Sequence, residues 1–174
     1  MKEEKKIKSK IVYQRDWFVL CEDEVACERV IATKNVIHHP GACVMIVETS
    51  EGILLEKQYR YAIQDFVYEL PAGKLNPNET MEDGARRELE EECGLYAKDL
   101  QYLGSFYPCF GYSDEIHYAF YTNQVEKTKT HFDDDESIEI QFFSINEIKR
   151  MIQNGIIKDE KTISILFKYL LSIE

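Results

Sequence analysis

Long apolar runs are missing from this 174-residue chain: stretches such as Cys43-Val44-Met45-Ile46-Val47 fall far short of the roughly 20 residues that cross a bilayer as a helix. The first ten residues, MKEEKKIKSK, carry the lysines of a secretion signal without the apolar stretch that must follow them. The expectation is a cytoplasmic protein with no membrane partner. Cations are also scarce, 21 Lys and Arg against 32 Asp and Glu for a net charge of −11. Such a surface repels nucleic-acid backbone, so no nucleic-acid partner is expected, and an anionic ligand would need cations between itself and the protein. Only 8 glycines and 4 prolines are present, none gathered into a linker. The 5 cysteines (Cys21, Cys27, Cys43, Cys93, Cys109) include no C-x-x-C pair. An odd number without that spacing argues against a zinc cluster or a disulfide framework and for reduced thiols acting as small hydrophobes.

What is present is ordinary globular material, 44% apolar and 30% charged. A chain of this length can bury about 70% of its unfolded surface. Short extended pieces are predicted over 8–13, 17–22 and 30–37, before a break at His39-Pro40-Gly41. Strands over 42–48 and 53–59 flank a hairpin turn at Thr49-Ser50-Glu51-Gly52, and another covers 66–70. After the turn Leu75-Asn76-Pro77-Asn78, a helix is predicted from Glu79 to Cys93, stopped by Gly94. Strands near 100–107, 116–122 and 138–143 follow, then helices over 145–153 and 161–172, the last apolar enough to pack into a core. The order of elements reads as α+β.

The 79–93 helix carries the chemistry. Glu88, Glu91 and Glu92 stand at i, i+3 and i+4, so three carboxylates read as exposed share one face and repel one another. A divalent cation reverses that sign, and oxygen ligands at this density suit Mg²⁺ or Mn²⁺ rather than zinc. Such an ion would also offset the repulsion between an acidic site and an anionic ligand.

The stretch Gly73–Leu95, GKLNPNETMEDGARRELEEECGL, resembles the Nudix box, G-x5-E-x7-R-E-U-x-E-E-x-G-U with U a bulky aliphatic. Gly73, Glu79, Arg87, Glu88, Leu89, Glu91, Glu92, Gly94 and Leu95 fall on all nine specified positions without a gap. The resemblance implies a Nudix α/β/α sandwich and hydrolysis of a nucleoside diphosphate linked to another moiety. It implies Mg²⁺, or Mn²⁺, held by Glu88, Glu91 and Glu92 with the backbone carbonyl of Ala72. Arg87 is expected to orient a neighbouring glutamate through a bidentate pair rather than to touch substrate.

The likeness extends to Val36–Ala42, Glu56–Tyr61, Tyr68–Gly73, Ser113–Ile116 and the acidic run Asp133–Glu136. These are similar to the ADP-ribose pyrophosphatase branch, whose products would be AMP and ribose 5-phosphate. The branch implies a division into N-terminal strands, 1–38, that build a homodimer, and a hydrolase domain, 39–174. It makes Arg60 a phosphate contact, puts Glu69 in the nucleoside pocket, adds Glu115 to the substrate contacts and offers Trp17 as an adenine platform. Glu136, then Asp134, are its candidate bases. One departure stands out: the branch's Ser-Pro-Gly turn is replaced by Tyr107-Pro108-Cys109-Phe110-Gly111, and moving a proline, which fixes φ, reshapes the loop. ADP-ribose and another nucleotide sugar or dinucleotide both stay open as substrate, as does a non-catalytic nucleotide-sensing module, against which the intact glutamate set weighs. His38-His39 is not read as a metal pair, because adjacent strand residues point to opposite faces.

Overall fold

The computed structural model describes residues 2–129 and 137–173, and these fall into two compact units, one of residues 2–41 with Tyr107–Ile116 and one of Ala42–Phe106 with residues 117–129 and 137–173. In the first unit, β1 (Lys5–Arg15), β2 (Phe18–Ala26) and β3 (Ile31–His38) form an antiparallel sheet in the order β1-β2-β3. Asp16 takes a positive φ of 48° in the tight β1–β2 turn, and Trp17 lies in that turn rather than opening the strand. Alternate residues of β2, Cys21, Asp23 and Val25, are buried, while β1 is exposed along its whole length. Ser9 donates a hydrogen bond to the buried Asp23 at 2.5 Å, which satisfies a carboxylate otherwise costly to bury. The 107–116 segment docks on β3 through Ile37 N–H to Tyr112 O at 2.8 Å and Asp114 N–H to Ile37 O at 3.2 Å.

The second unit is built on β4 (Ala42–Thr49) and β5 (Gly52–Arg60), joined by the predicted hairpin turn. They pair only at Glu48–Ile53 and Thr49–Gly52 and then diverge, and β6 (Asp65–Glu69) and β7 (Ala72–Lys74) pair with β5 and β4 respectively. Next come helix α1 (Met81–Cys93), β8 (Leu95–Ala97), β9 (Gln101–Phe106), β10 (His117–Thr122), β11 (Val125–Lys127) and β12 (Ile138–Phe143). Helices α2 (Ile145–Gln153) and α3 (Glu160–Ile173) complete the described chain. The large sheet runs β12-β5-β4-β10-β9, with β10 parallel to β4, and β8 pairs with β11 in a separate ribbon.

Both faces of that sheet are covered, which is why β4 is an unbroken apolar run rather than an alternating one. On one face Val44, Ile46, Ile53 and Leu55 pack with Ile148 of α2 and with Ile165, Leu166 and Tyr169 of α3. On the other, Cys43, Met45, Val47, Leu54 and Phe120 pack against Ala85, Leu89 and Cys93 of α1. The layers are α/β/α, as the resemblance implied. Helix α3 packs into the core along one stripe, and Phe167 and Leu171 face outward. No helix among the described residues is long and apolar enough to cross a membrane.

Candidate active site

Helix α1 begins two residues later than the sequence suggests. Thr80 is the N-cap, its Oγ1 accepting from Asp83 N–H at 3.1 Å, and this leaves Glu79 outside the helix. Gly94 closes the helix at φ 61°, the left-handed conformation that glycine adopts without a Cβ penalty. Gly84, inside the helix, has a packing reason: a Cβ there would lie 2.6 Å from Leu75 Cδ2 and 3.1 Å from Glu79 Oε2.

Arg87 organises the acidic face. It grips Glu79 in a fork, and its Nη1 lies 2.8 Å from both Glu88 Oε1 and Glu91 Oε2. Its Nη2 also donates to the Lys74 carbonyl at 2.9 Å, fixing the strand that precedes the helix. The Glu79 carboxyl is held below its ordinary range by the Arg87 hydrogen bond, and Arg87 is held more firmly protonated in return. Glu88 behaves oppositely: burial raises its pKa, and Arg87 offsets this in part. The expectation of three exposed carboxylates needs correcting. Glu91 is the open one; Glu92 is 6% exposed and the Glu88 side chain 12%. Helix α1 is packed on the sheet rather than free in solvent, so this face looks into a pocket. Glu88 fits only because residue 73 is glycine: a Cβ on Gly73 would sit 1.9 Å from the Glu88 carboxyl carbon.

The pocket, about 200 Å³, is lined by Glu88, Glu91, Glu92, Arg87 and Ala72 together with Gly73, Lys74, Asn76 and two residues of β5, Gln58 and Arg60. Arg60 Nε and Nη2 donate to Glu69 Oε1 and Oε2 at 2.7 and 2.9 Å, a bidentate pair across the β5–β6 hairpin. Glu69 is almost wholly buried and is shared by a second cation, Lys161 of α3. Next to the turn leading to Ala72, Leu70 N–H donates to the buried Thr162 Oγ1 at 2.8 Å.

The structure therefore gathers Arg60, Glu69, Ala72, Arg87, Glu88, Glu91 and Glu92 into one region of the second unit. Trp17 and Glu115 belong to the first unit, where both approach His39: the Trp17 ring meets the imidazole edge-on at 4.8 Å, and Glu115 Oε1 lies 3.8 Å from Nε2. His38 Nδ1 lies 2.5 Å from Asp114 Oδ2. Asp134 and Glu136 fall outside the described residues. Sequence reasoning overlooked Gln58, Lys74, Asn76 and the pairing role of Glu79. Period-two counting along β5 puts Glu56, Gln58 and Arg60 on one side and was the available signal for Gln58. Glu56 is buried behind the helix, accepts from Cys93 Sγ at 3.1 Å, and has its pKa pushed up to about 7, chiefly by burial.

The donor set suits a hard divalent cation. Three carboxylates and the Ala72 carbonyl offer oxygen alone, and the missing Cβ of Gly73 leaves room for the innermost carboxylate. Among the described residues no three such side chains are gathered around one point in advance, and Arg87 engages oxygens of Glu88 and Glu91.

Residues 37–163 match the model of the NUDIX domain family. This chain is a Nudix hydrolase. It is 32% identical over 164 residues to an ADP-ribose pyrophosphatase of Bacillus subtilis (strain 168), covering 92% of this chain and 89% of that one. At the same identity, over 165 residues and with the same coverage of 92% and 89%, it matches a methanol dehydrogenase activator of Bacillus methanolicus. A solved structure described as an ADP compounds hydrolase superposes with a TM-score of 0.87 over 99% of this chain and 95% of the other; at 14% identity that likeness speaks for the Nudix fold alone. Nudix hydrolases generally use divalent metal ions, which agrees with the oxygen-only donor set of this one.

Proposed function

We propose that this Nudix hydrolase cleaves the pyrophosphate of ADP-ribose, giving AMP and ribose 5-phosphate, with Mg²⁺ as its ion and Mn²⁺ as a substitute. The observation that carries the reading is one pocket holding both Arg60 and the Glu88, Glu91 and Glu92 carboxylates. That pairing suits a ligand with a phosphate to neutralise and a cation to share. The identity with the Bacillus subtilis pyrophosphatase over nearly the whole chain supports the same substrate.

In this reading Glu88, Glu91, Glu92 and the Ala72 carbonyl hold the ion, which supplies charge neutralisation and Lewis acidity at the pyrophosphate. Arg60 takes a phosphate oxygen. Arg87 keeps the glutamates apart and aimed, and stays off the substrate because its fork is committed to Glu79. Glu136 or Asp134 removes the proton of the attacking water. Trp17 stacks on the adenine and Glu115 touches the substrate. A second copy of the chain docks through residues 1–38, and the protein works in the cytoplasm.

A second reading, another nucleotide sugar or a dinucleotide, is favoured by the remade 107–111 loop. Its Tyr107 and Phe110 are exposed, and it closes on itself through Tyr112 N–H and Ser113 N–H to Cys109 O at 3.0 and 2.9 Å. The deciding experiment incubates the protein with ADP-ribose, ADP-, UDP- and GDP-sugars and dinucleotides, in Mg²⁺, in Mn²⁺ and in chelator, and identifies products by chromatography. ADP-ribose should turn over fastest in Mg²⁺ and not at all in chelator. Turnover of UDP- or GDP-sugars with ADP-ribose inert would sink the substrate assignment. Trp17→Ala should raise KM for ADP-ribose about 5- to 150-fold with a smaller effect on kcat, the cost of a lost stacking face.

A further inference from the structure

The buried carboxylate Glu69 is engaged by two cations. Arg60 alone would neutralise it, through two hydrogen bonds of 2.7 and 2.9 Å. Yet Lys161, arriving from a helix 92 positions along the chain, also donates to Glu69 Oε2. The Lys161 side chain is only 12% exposed, against 45% for Arg60. Its helix start is pinned on both sides: Asp159 Oδ2 accepts from Thr162 N–H at 2.9 Å and from Lys161 Nζ at 3.0 Å, and Thr162 Oγ1 accepts from Leu70 N–H. Four alternating charges thus run Arg60, Glu69, Lys161, Asp159. All four line a pocket of about 330 Å³, and Arg60 alone of them also lines the glutamate-lined pocket. Glu69 occupies Nε and Nη2 of Arg60, so Nη1 is the edge it does not engage.

We infer that Lys161 is a positioning residue for the phosphate contact: by sharing Glu69 it keeps that carboxylate from cancelling Arg60 and holds the guanidinium aimed at the substrate pyrophosphate. The inference rests on Arg60 as the phosphate contact of the proposed function. Glu56, cross-strand from Glu69 and also buried, takes its hydrogen bond from Cys93 rather than from either cation, so Glu69 itself would be satisfied by one cation. The second is explained if the first must remain electropositive towards a ligand. Asp159 tempers the arrangement from the far end, so its removal should act in the opposite sense to removal of Lys161.

The test compares wild type with Lys161→Met, Lys161→Arg and Asp159→Asn. It uses the compound that wild type turns over best in the panel above, and equilibrium Kd for ADP as a probe that does not depend on turnover. Lys161→Met should raise KM and the ADP Kd roughly tenfold, the usual scale for a lost supporting partner, and leave kcat within about threefold. Lys161→Arg, which keeps the cation, should stay within about threefold of wild type on both. Asp159→Asn still caps α3, because asparagine caps about as well as aspartate, and it should bind ADP as tightly as wild type or tighter. An unchanged ADP Kd in folded Lys161→Met overturns the inference. So does a weakened ADP Kd in Asp159→Asn, which remains decisive if Lys161→Met does not fold. Loss of ADP-ribose turnover in favour of another compound overturns the substrate reading instead, and the ADP measurement separates the two.

Discussion

Arg87 holds Glu79 by two near-parallel hydrogen bonds, Nε to Oε1 at 2.8 Å and Nη2 to Oε2 at 2.9 Å, although the two residues lie on opposite sides of the helix N-cap. The guanidinium is planar, so fixing one edge on Glu79 fixes where Nη1 meets Glu88 and Glu91. Lysine keeps the charge and loses the fork. Arg87→Lys should therefore fold, bind the metal more weakly and lose roughly 10- to 100-fold in kcat/KM. Metal titration followed by activity checks this; a wild-type metal response in Arg87→Lys would refute the orienting role.

Gly73 is the sharpest steric constraint at the site. Its Cβ would fall 1.9 Å from the Glu88 carboxyl carbon, but the atoms in the way belong to the end of a side chain. Gly73→Ala should therefore leave the melting temperature within a few degrees while expelling Glu88 from its place. Activity should fall about 10²-fold, the scale of losing one electrostatic contact to the reacting group. Far-ultraviolet circular dichroism together with kinetics checks it, and full activity would show that Glu88 is not needed where it stands.

Glu91 and Glu92 share a face of α1 but not an environment. Glu91 is open to solvent and Glu92 is buried. Replacing either by glutamine should cut kcat by roughly 10² or more if both hold the ion. Stability should separate them: in metal-free buffer Glu91→Gln, at a largely open position, should barely shift the melting temperature, whereas Glu92→Gln, at a buried one, should shift it measurably. Calorimetry in chelator reads this out.

The main architecture was legible because its signals are local. The unbroken apolar run of β4, the Gly52 turn and the Gly94 stop each announce an element through neighbouring residues. Three-residue strands such as β7, β8 and β11 are too short to show a period. The glutamate face of α1 was legible because it is a linear pattern on one helix. Its burial was not, since that depends on the sheet packed beneath it. Glu79 looked helical until Thr80 was seen to cap the helix. Lys161 is 92 positions from Glu69, and only the docking of α3 on the sheet reveals their pairing.

Glu56 gives stability a definite pH dependence. Burial raises its pKa from 4.5 to about 7, while the Cys93 hydrogen bond works the other way. The folded state therefore binds more protons than the unfolded state between those values, and this group's contribution to stability declines as pH rises from about 4.5 to 7. Glu56→Gln removes the penalty for ionising inside the core and can still accept from Cys93. In metal-free buffer the variant should be more stable than wild type at pH 8 by about 1–3 kcal/mol, with the gap closing towards pH 5. Denaturant titrations at the two pH values check it; a gap that widens on acidification would reverse the sign and refute the assignment.

The final prediction concerns the first unit. Its sheet has three strands, and β1 is exposed over all eleven residues, Ile7, Ile11, Val12 and Tyr13 among them at half exposure or more. A small sheet with an apolar, uncovered edge strand either finds a partner or risks pairing indiscriminately. Lysines at 5, 6, 8 and 10 keep part of that strand polar, which favours one defined partner over open-ended association. The expected partner is a second copy, so light scattering at micromolar concentration should give twice the chain mass of 20.5 kDa. Ile7→Asp with Ile11→Asp should shift the protein towards monomer, because each charge would have to be buried on association. The α1 site lies in the other unit and should keep its metal affinity in that variant. A wild-type protein that is monomeric, folded and fully active at these concentrations would remove residues 1–38 from any role in assembly.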